Sequence, residues 1–160
     1  MRKPIALMSA ALLCAGLAHA GTVEVQFEQP DRYTDVGPRS DATAVQTALR
    51  GILQTLAAER LPANQSLTLA ITDIDLAGEI EPTTRRMQDV RVMGQHPDWP
   101  RISLRYTLRD GGRVLAEGQE VVSDMAYLMR STRAGGTERL PYEQRMLSEW
   151  FDKRFVRQAH

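Results

Sequence analysis

The chain has 160 residues, with 20 basic and 20 acidic side chains and one cysteine. That balance leaves no basic footprint for nucleic acid and no polybasic patch for anionic lipid. A single cysteine cannot build a disulfide framework or a thiolate zinc site.

The first twenty residues read as a secretory signal peptide. Arg2 and Lys3 form a positive start, Ile5 to Leu17 an uncharged apolar stretch, and Ala18-His19-Ala20 a small-residue cleavage site before Gly21. The apolar run is about thirteen residues, short of the roughly twenty a membrane span needs. Cys14 follows Leu13, where lipoprotein processing wants a small residue, so it reads as an ordinary member of the signal. Cleavage after Ala20 removes two basic and no acidic residues. It leaves 140 residues at net charge −2, counting His neutral, with no cysteine and no transmembrane segment. The expectation is one periplasmic domain over 21–160, large enough to bury about two-thirds of its unfolded surface without a staple.

Val23, Val25 and Phe27 alternate with Glu24, Gln26 and Glu28, which predicts a half-buried strand ended by Pro30. A polar stretch from Asp31 to Ser40 carries a turn signal at Gly37-Pro38. Val45, Leu49, Ile52, Leu53 and Leu56 then fall on one face of a helix from about Asp41 to Arg60, capped by Ser40 or Asp41 and closed by Pro62. Leu67, Leu69 and Ile71 alternate with Thr68, Ala70 and Thr72 as a second strand. The order strand, helix, strand favours a parallel pairing of the two if they share a sheet. From Gly78 to Pro100 the pattern is weak, with a short strand expected over Asp89 to Met93.

The clearest hairpin follows. Ile102, Leu104, Tyr106 and Leu108 point one way, Asp110-Gly111-Gly112 turns the chain, and Val114 to Val121 returns. A looser segment runs from Ser123 to Leu140 and includes Gly135-Gly136. Pro141 suits the first turn of a last helix. Its buried face is expected to be Met146, Leu147, Trp150, Phe151 and Phe155, with Glu143, Arg145, Glu149 and Lys153 more exposed. The fold class expected is α+β, a two-layer sandwich with a mainly antiparallel sheet of four to five strands and two amphipathic helices on one face. The other face carries Glu24, Arg105 and Arg109.

The densest polar cluster is Thr72-Asp73-Ile74-Asp75-Leu76-Ala77-Gly78-Glu79. Its spacing opens like a calcium loop, but Ala77 and Thr84 stand where oxygen ligands are needed, so no metal or other cofactor is assigned. Asp73 and Asp75 share a face if the strand continues, as an acid/base pair would, or they satisfy turn amides where the strand ends. His96 is the sole internal histidine of the mature chain, and no Gly-x-Ser-x-Gly elbow supplies a serine to go with it. Trp99-Pro100-Arg101 pairs an aromatic ring with a guanidinium at a strand entrance, suited to stacking a ligand or to an internal cation–π contact. Arg85, Arg86 and Arg91 suit an anion, or a solvated loop compensated by Glu79, Glu81 and Asp89.

Several strings together are similar to a known family. They are Tyr33-Thr34-Asp35, Ile71 to Glu79, Trp99-Pro100-Arg101-Ile102, Ser123 to Leu128, and the helix from Tyr142-Glu143 to Trp150-Phe151. In that order, behind a signal peptide, they resemble the bacterial domain of unknown function 3016. The resemblance implies membership and carries over no catalytic residue. The element order is also similar to small periplasmic accessory proteins that dock onto envelope machines.

No catalytic residue is assigned, and the reading leans to a non-enzymatic interaction or binding module of the cell envelope, partnered by another envelope protein. The binding residues expected are Asp73, Asp75, Glu79, Trp99 and Arg101. Two alternatives stay open: a metal-assisted hydrolase or cation binder using Asp73, Asp75 and Glu79, and a small glycan or peptide binder using Trp99. The oligomeric state is not legible in the sequence.

Overall fold

The computed structural model describes residues 20–37, 39–83, 88–94, 98–129 and 139–157. The signal segment 1–19, Arg85, Arg86, His96 and Gly135-Gly136 lie outside these residues. The elements are β1 (Thr22–Phe27), α1 (Arg39–Arg60), β2 (Gln65–Asp75), β3 (Glu79–Thr83), β4 (Gln88–Val92), β5 (Arg101–Asp110), β6 (Arg113–Ser123) and α2 (Pro141–Phe151). A 3₁₀ turn over Pro30–Arg32 follows β1, and α2 runs on through Asp152–Val156 with π-type bonding.

The fold is α+β. A four-stranded sheet has the order β1-β2-β5-β6, and β3 and β4 pair in a second, two-stranded sheet. β1 runs parallel to β2, as the intervening helix led one to expect, with Val23 opposite Leu67 and Phe27 opposite Ile71. The other pairings of the large sheet are antiparallel. Ile102, Leu104, Tyr106 and Leu108 alternate inward on β5 and face Ile74, Ile71, Leu69 and Leu67 of β2. Arg105, Arg109 and Glu24 are exposed, as the period of two required.

The apolar stripe of α1 completes the same core with Val45, Leu49, Leu53, Leu56 and Ala57, while Ile52 is half-buried at its margin. From α2 and its extension come Met146, Leu147, Trp150, Phe151 and Phe155. The rings of Tyr106, Trp150, Phe151 and Phe155 meet edge to face, with centroids 5.0 to 6.3 Å apart. Such geometry adds about 0.5–1.5 kcal/mol per pair beyond the area buried. Arg60, in the last turn of α1, donates to the Ser148 carbonyl, the Ser148 hydroxyl and the Asp152 carboxylate, which ties the two helices together.

Four expectations need correcting. First, β2 does not end at Thr72 but continues to Asp75 past a register shift between Ile71 and Asp73. Asp73 and Asp75 therefore lie on a strand, not in a turn. Second, β3 was not foreseen; it gives the weak strand near Asp89 an antiparallel partner, with Glu79 opposite Val92. Third, α1 starts at Arg39, so Ser40 and Asp41 lie inside its first turn and do not precede it. Fourth, Glu143 is not exposed: only 2% of it meets solvent.

Candidate functional site

The five strings that carry the family resemblance meet at one end of the large sheet, where β2 leaves it, β5 enters and β6 leaves. Tyr33-Thr34-Asp35 is the strap of this end. The Tyr33 hydroxyl donates to the Ile71 carbonyl at 3.0 Å. Thr34 gives both its backbone N–H and its hydroxyl to the Asp73 carboxylate, each at 2.8 Å. The Asp35 N–H donates to the Ile74 carbonyl, and the Leu76 N–H returns a bond to the Asp35 carbonyl, so the strap runs as a short parallel extension of the sheet. Burial, then the Glu28 and Asp73 carboxylates, push the Tyr33 hydroxyl up to about 12, which keeps it a donor.

Asp35 also holds Arg91 of β4 through two bonds, at 2.8 and 3.0 Å. The same guanidinium reaches the carbonyls of Ala77 and Gly78 at 3.2 and 2.7 Å. Arg91 is thus committed to a partner far along the chain. A bidentate arginine–carboxylate pair of this kind adds geometric specificity as well as energy. Gly78 has a φ of +77°, and a Cβ there would stand 2.5 Å from the Val92 carbonyl oxygen, so the loop closes only with glycine.

On the inner side, Glu143 is the third residue of α2, and its carboxylate accepts the Ala77 N–H at 2.9 Å. Burial raises its carboxyl above the ordinary value of 4.5. Hydrogen bonds from the Ala77 N–H and its own backbone N–H oppose that rise, as does the nearby Arg91 charge. A small cavity of about 210 Å³ opens beside it, lined by Leu76, Arg91, Met93, Leu140 and Tyr142 among others.

On the outer face, Asp75 stands opposite Arg101, which stands opposite Ser123 of β6. The Arg101 guanidinium bonds the Asp75 carboxylate through Nε at 3.0 Å and through Nη2. It also lies over the Trp99 ring, 5.6 Å from its centroid. One row further in, Asp73 stands opposite Ser103, and Ser103 opposite Val121. Four of the five expected binding residues, Asp73, Asp75, Trp99 and Arg101, therefore lie together beside the end of β6. Glu79 does not join them; it is exposed at the start of β3, in the other sheet. Among the described residues no three acidic, histidine or cysteine side chains stand close enough to hold a metal ion together.

β6 is an edge strand of eleven residues, and among the described residues nothing pairs with its outer side. Glu120 on it anchors α2, accepting the Trp150 indole N–H at 2.8 Å, the Tyr106 hydroxyl at 3.4 Å and an ion pair from Arg154. An open groove of about 720 Å³ runs between this edge and the C-terminal half of α2. Val122, Met146 and Trp150 line it with Lys153, Arg154 and Arg157.

The turn after β6 is firmly tied. Arg145 donates to the Asp124 carboxylate and the Tyr127 carbonyl, and the Tyr127 hydroxyl donates to Asp98 at 2.7 Å. Burial and Asp98 push that hydroxyl up to about 12. Even so, this turn leaves Met125 74% exposed and β6 leaves Val121 64% exposed. Of the eight exposed large apolar residues among those described, six fall between Val114 and Met129. Val114 and Leu115 lie at the start of β6, and Val121, Met125, Leu128 and Met129 at its end and in the turn beyond.

The sequence reading missed three features here. Glu143 lies three, four and seven residues before Met146, Leu147 and Trp150, which places it on their face of the helix; its charge argued against burial. The adjacent apolar pairs Val114-Leu115 and Val121-Val122 break the alternation of β6, and such a pair must turn one member outward. The Asp35–Arg91 pair has no local signal.

Neither the curated proteins nor the solved structures contain a match to the chain. A family model described as "Protein of unknown function (DUF3016)" matches residues 21–153. That span takes in all five strings, and the chain belongs to this family.

Proposed function

We propose that this is a non-enzymatic interaction module of the bacterial envelope, exported to the periplasm with residues 1–20 removed. Its contact surface is the end of β6 together with the Asp75–Arg101–Trp99 group beside it. The observation that carries the reading is the β6 edge, unpaired among the described residues and carrying exposed apolar side chains, set against a cluster whose charges are satisfied internally. Asp73 is held by Thr34, Asp75 by Arg101 and Arg91 by Asp35. These groups brace one another as a platform beside the edge. A free edge supplies main-chain donors and acceptors to an extended segment of a partner, and the alternate side chains supply selectivity. Export is read from Arg2 and Lys3, the uncharged stretch from Ile5 to Leu17 and the small residues Ala18-His19-Ala20.

The test is a cross-linked pull-down of the tagged protein from the periplasm of its own cells, read by mass spectrometry. The bait should begin at Gly21. Val121→Asp and Arg101→Ala should each lose a protein that the unaltered chain enriches, while circular dichroism shows both variants folded. Unchanged capture by both folded variants overturns the site, and a bait that keeps its first twenty residues in the cytoplasm overturns the envelope role.

A further inference from the structure

We infer that a partner of the β6 edge is a second copy of this chain, paired antiparallel about a two-fold axis through Gly118. This rests on the reading of β6 as a contact edge. The exposed large apolar residues of β6 are Val114, Leu115 and Val121. Leu115 and Val121 stand equally far from Gly118 on either side, and so do Val114 and Val122. A two-fold at Gly118 therefore sets Leu115 of each copy opposite Val121 of the other, and covers on both sides the side chains a lone chain leaves in water.

The charges select the same register. With the axis at Gly118, Glu117 faces Gln119 and Glu120 faces Ala116. An axis at Glu117 or at Glu120 would set that carboxylate against its own copy, which is destabilising in directly opposed strand pairs. An axis at Gln119 would set Glu117 against Val121. The register shift of β6 against β5 falls at Leu115, so the regular ladder spans Ala116 to Glu120 on each copy, with the Leu115–Val121 contacts at its two ends.

Gly118 itself suits the axis. It lies opposite Tyr106 of β5, and the Tyr106 ring covers the place where a Cβ would stand, with Oη at 2.8 Å. The inner face at the centre of the interface is thus already filled by the chain's own aromatic ring. An isologous contact of this kind closes on itself and joins the two sheets into one of eight strands without leading to a fibre.

The experiment is sedimentation equilibrium of the purified protein over a concentration series, with three variants. The unaltered chain should dimerise reversibly. Val121→Glu and Leu115→Lys should each weaken the dimer by roughly tenfold, because the two-fold counts each lost contact twice. The double variant, Leu115→Lys with Val121→Glu in one chain, should recover the affinity, since each introduced ammonium then faces an introduced carboxylate. A monomer at every concentration overturns the inference, as does a double variant no tighter than the singles. The contact-edge reading fails separately: a monomeric protein that still loses a different captured partner on Val121→Asp keeps that reading and removes only the second copy.

Discussion

Glu143 shows most clearly what one residue contributes. It holds the Ala77 N–H inside the protein and so joins α2 to the loop between β2 and β3. Replacing it with alanine leaves that N–H buried without an acceptor, at a cost of about 1–3 kcal/mol. Its titration gives a sharper prediction. The folded carboxyl sits above its ordinary 4.5, so its contribution to stability is full below 4.5 and is lost as pH rises through the raised folded value. Glu143→Gln keeps a carbonyl acceptor and stays neutral throughout. Its melting temperature should match the unaltered protein in acid and exceed it increasingly toward neutral pH; parallel curves would contradict this. The sequence carried half of this result. Its helical spacing places Glu143 on the buried face, but the Ala77 amide that makes burial tolerable comes from a segment sixty-six residues away.

Elements with a strong period were legible, and their limits were not. β1 and β5 follow their alternation, and α1 follows its stripe, because each has one face in the core. β2 was cut short because Asp73 and Asp75 read as turn residues. They remain on the strand because Thr34 and Arg101 satisfy them on the outer face. The β3–β4 pair has no clear alternation, and its Arg91 anchor is set by tertiary contact alone. Within α1, Gly51 is exposed and a Cβ there would meet nothing within 4 Å. Alanine is favoured over glycine in a helix interior by about 0.5–1 kcal/mol. Gly51→Ala should therefore raise the melting temperature by a few degrees without changing association. A lowered melting temperature would mean that the helix is packed differently along this face.

For the molecule as a whole, the arrangement separates a braced end from an open edge. Tyr33-Thr34-Asp35, the Ile71 to Glu79 run, Trp99 to Ile102, the turn after Ser123 and the first turn of α2 brace one another through Asp73, Asp75, Arg91, Asp98, Arg145 and Glu143. Each is bonded within the chain, which braces this end. The Asp73, Asp75 and Arg101 candidates were legible as a cluster because they stand close in sequence or at a strand entrance. Their position beside Val121 required the strand order, which no single strand's pattern reveals.

The central question is whether β6 is the face that meets other proteins. The most direct measurement places a photo-crosslinking amino acid at Val121, at Met125 and, as a control on the far strand, at Glu24, in the cells that make the protein. Discrete adducts from 121 and 125 with none from 24 are the predicted result. Adducts from 24 alone, or none from 121 and 125 in a folded and exported protein, would contradict it.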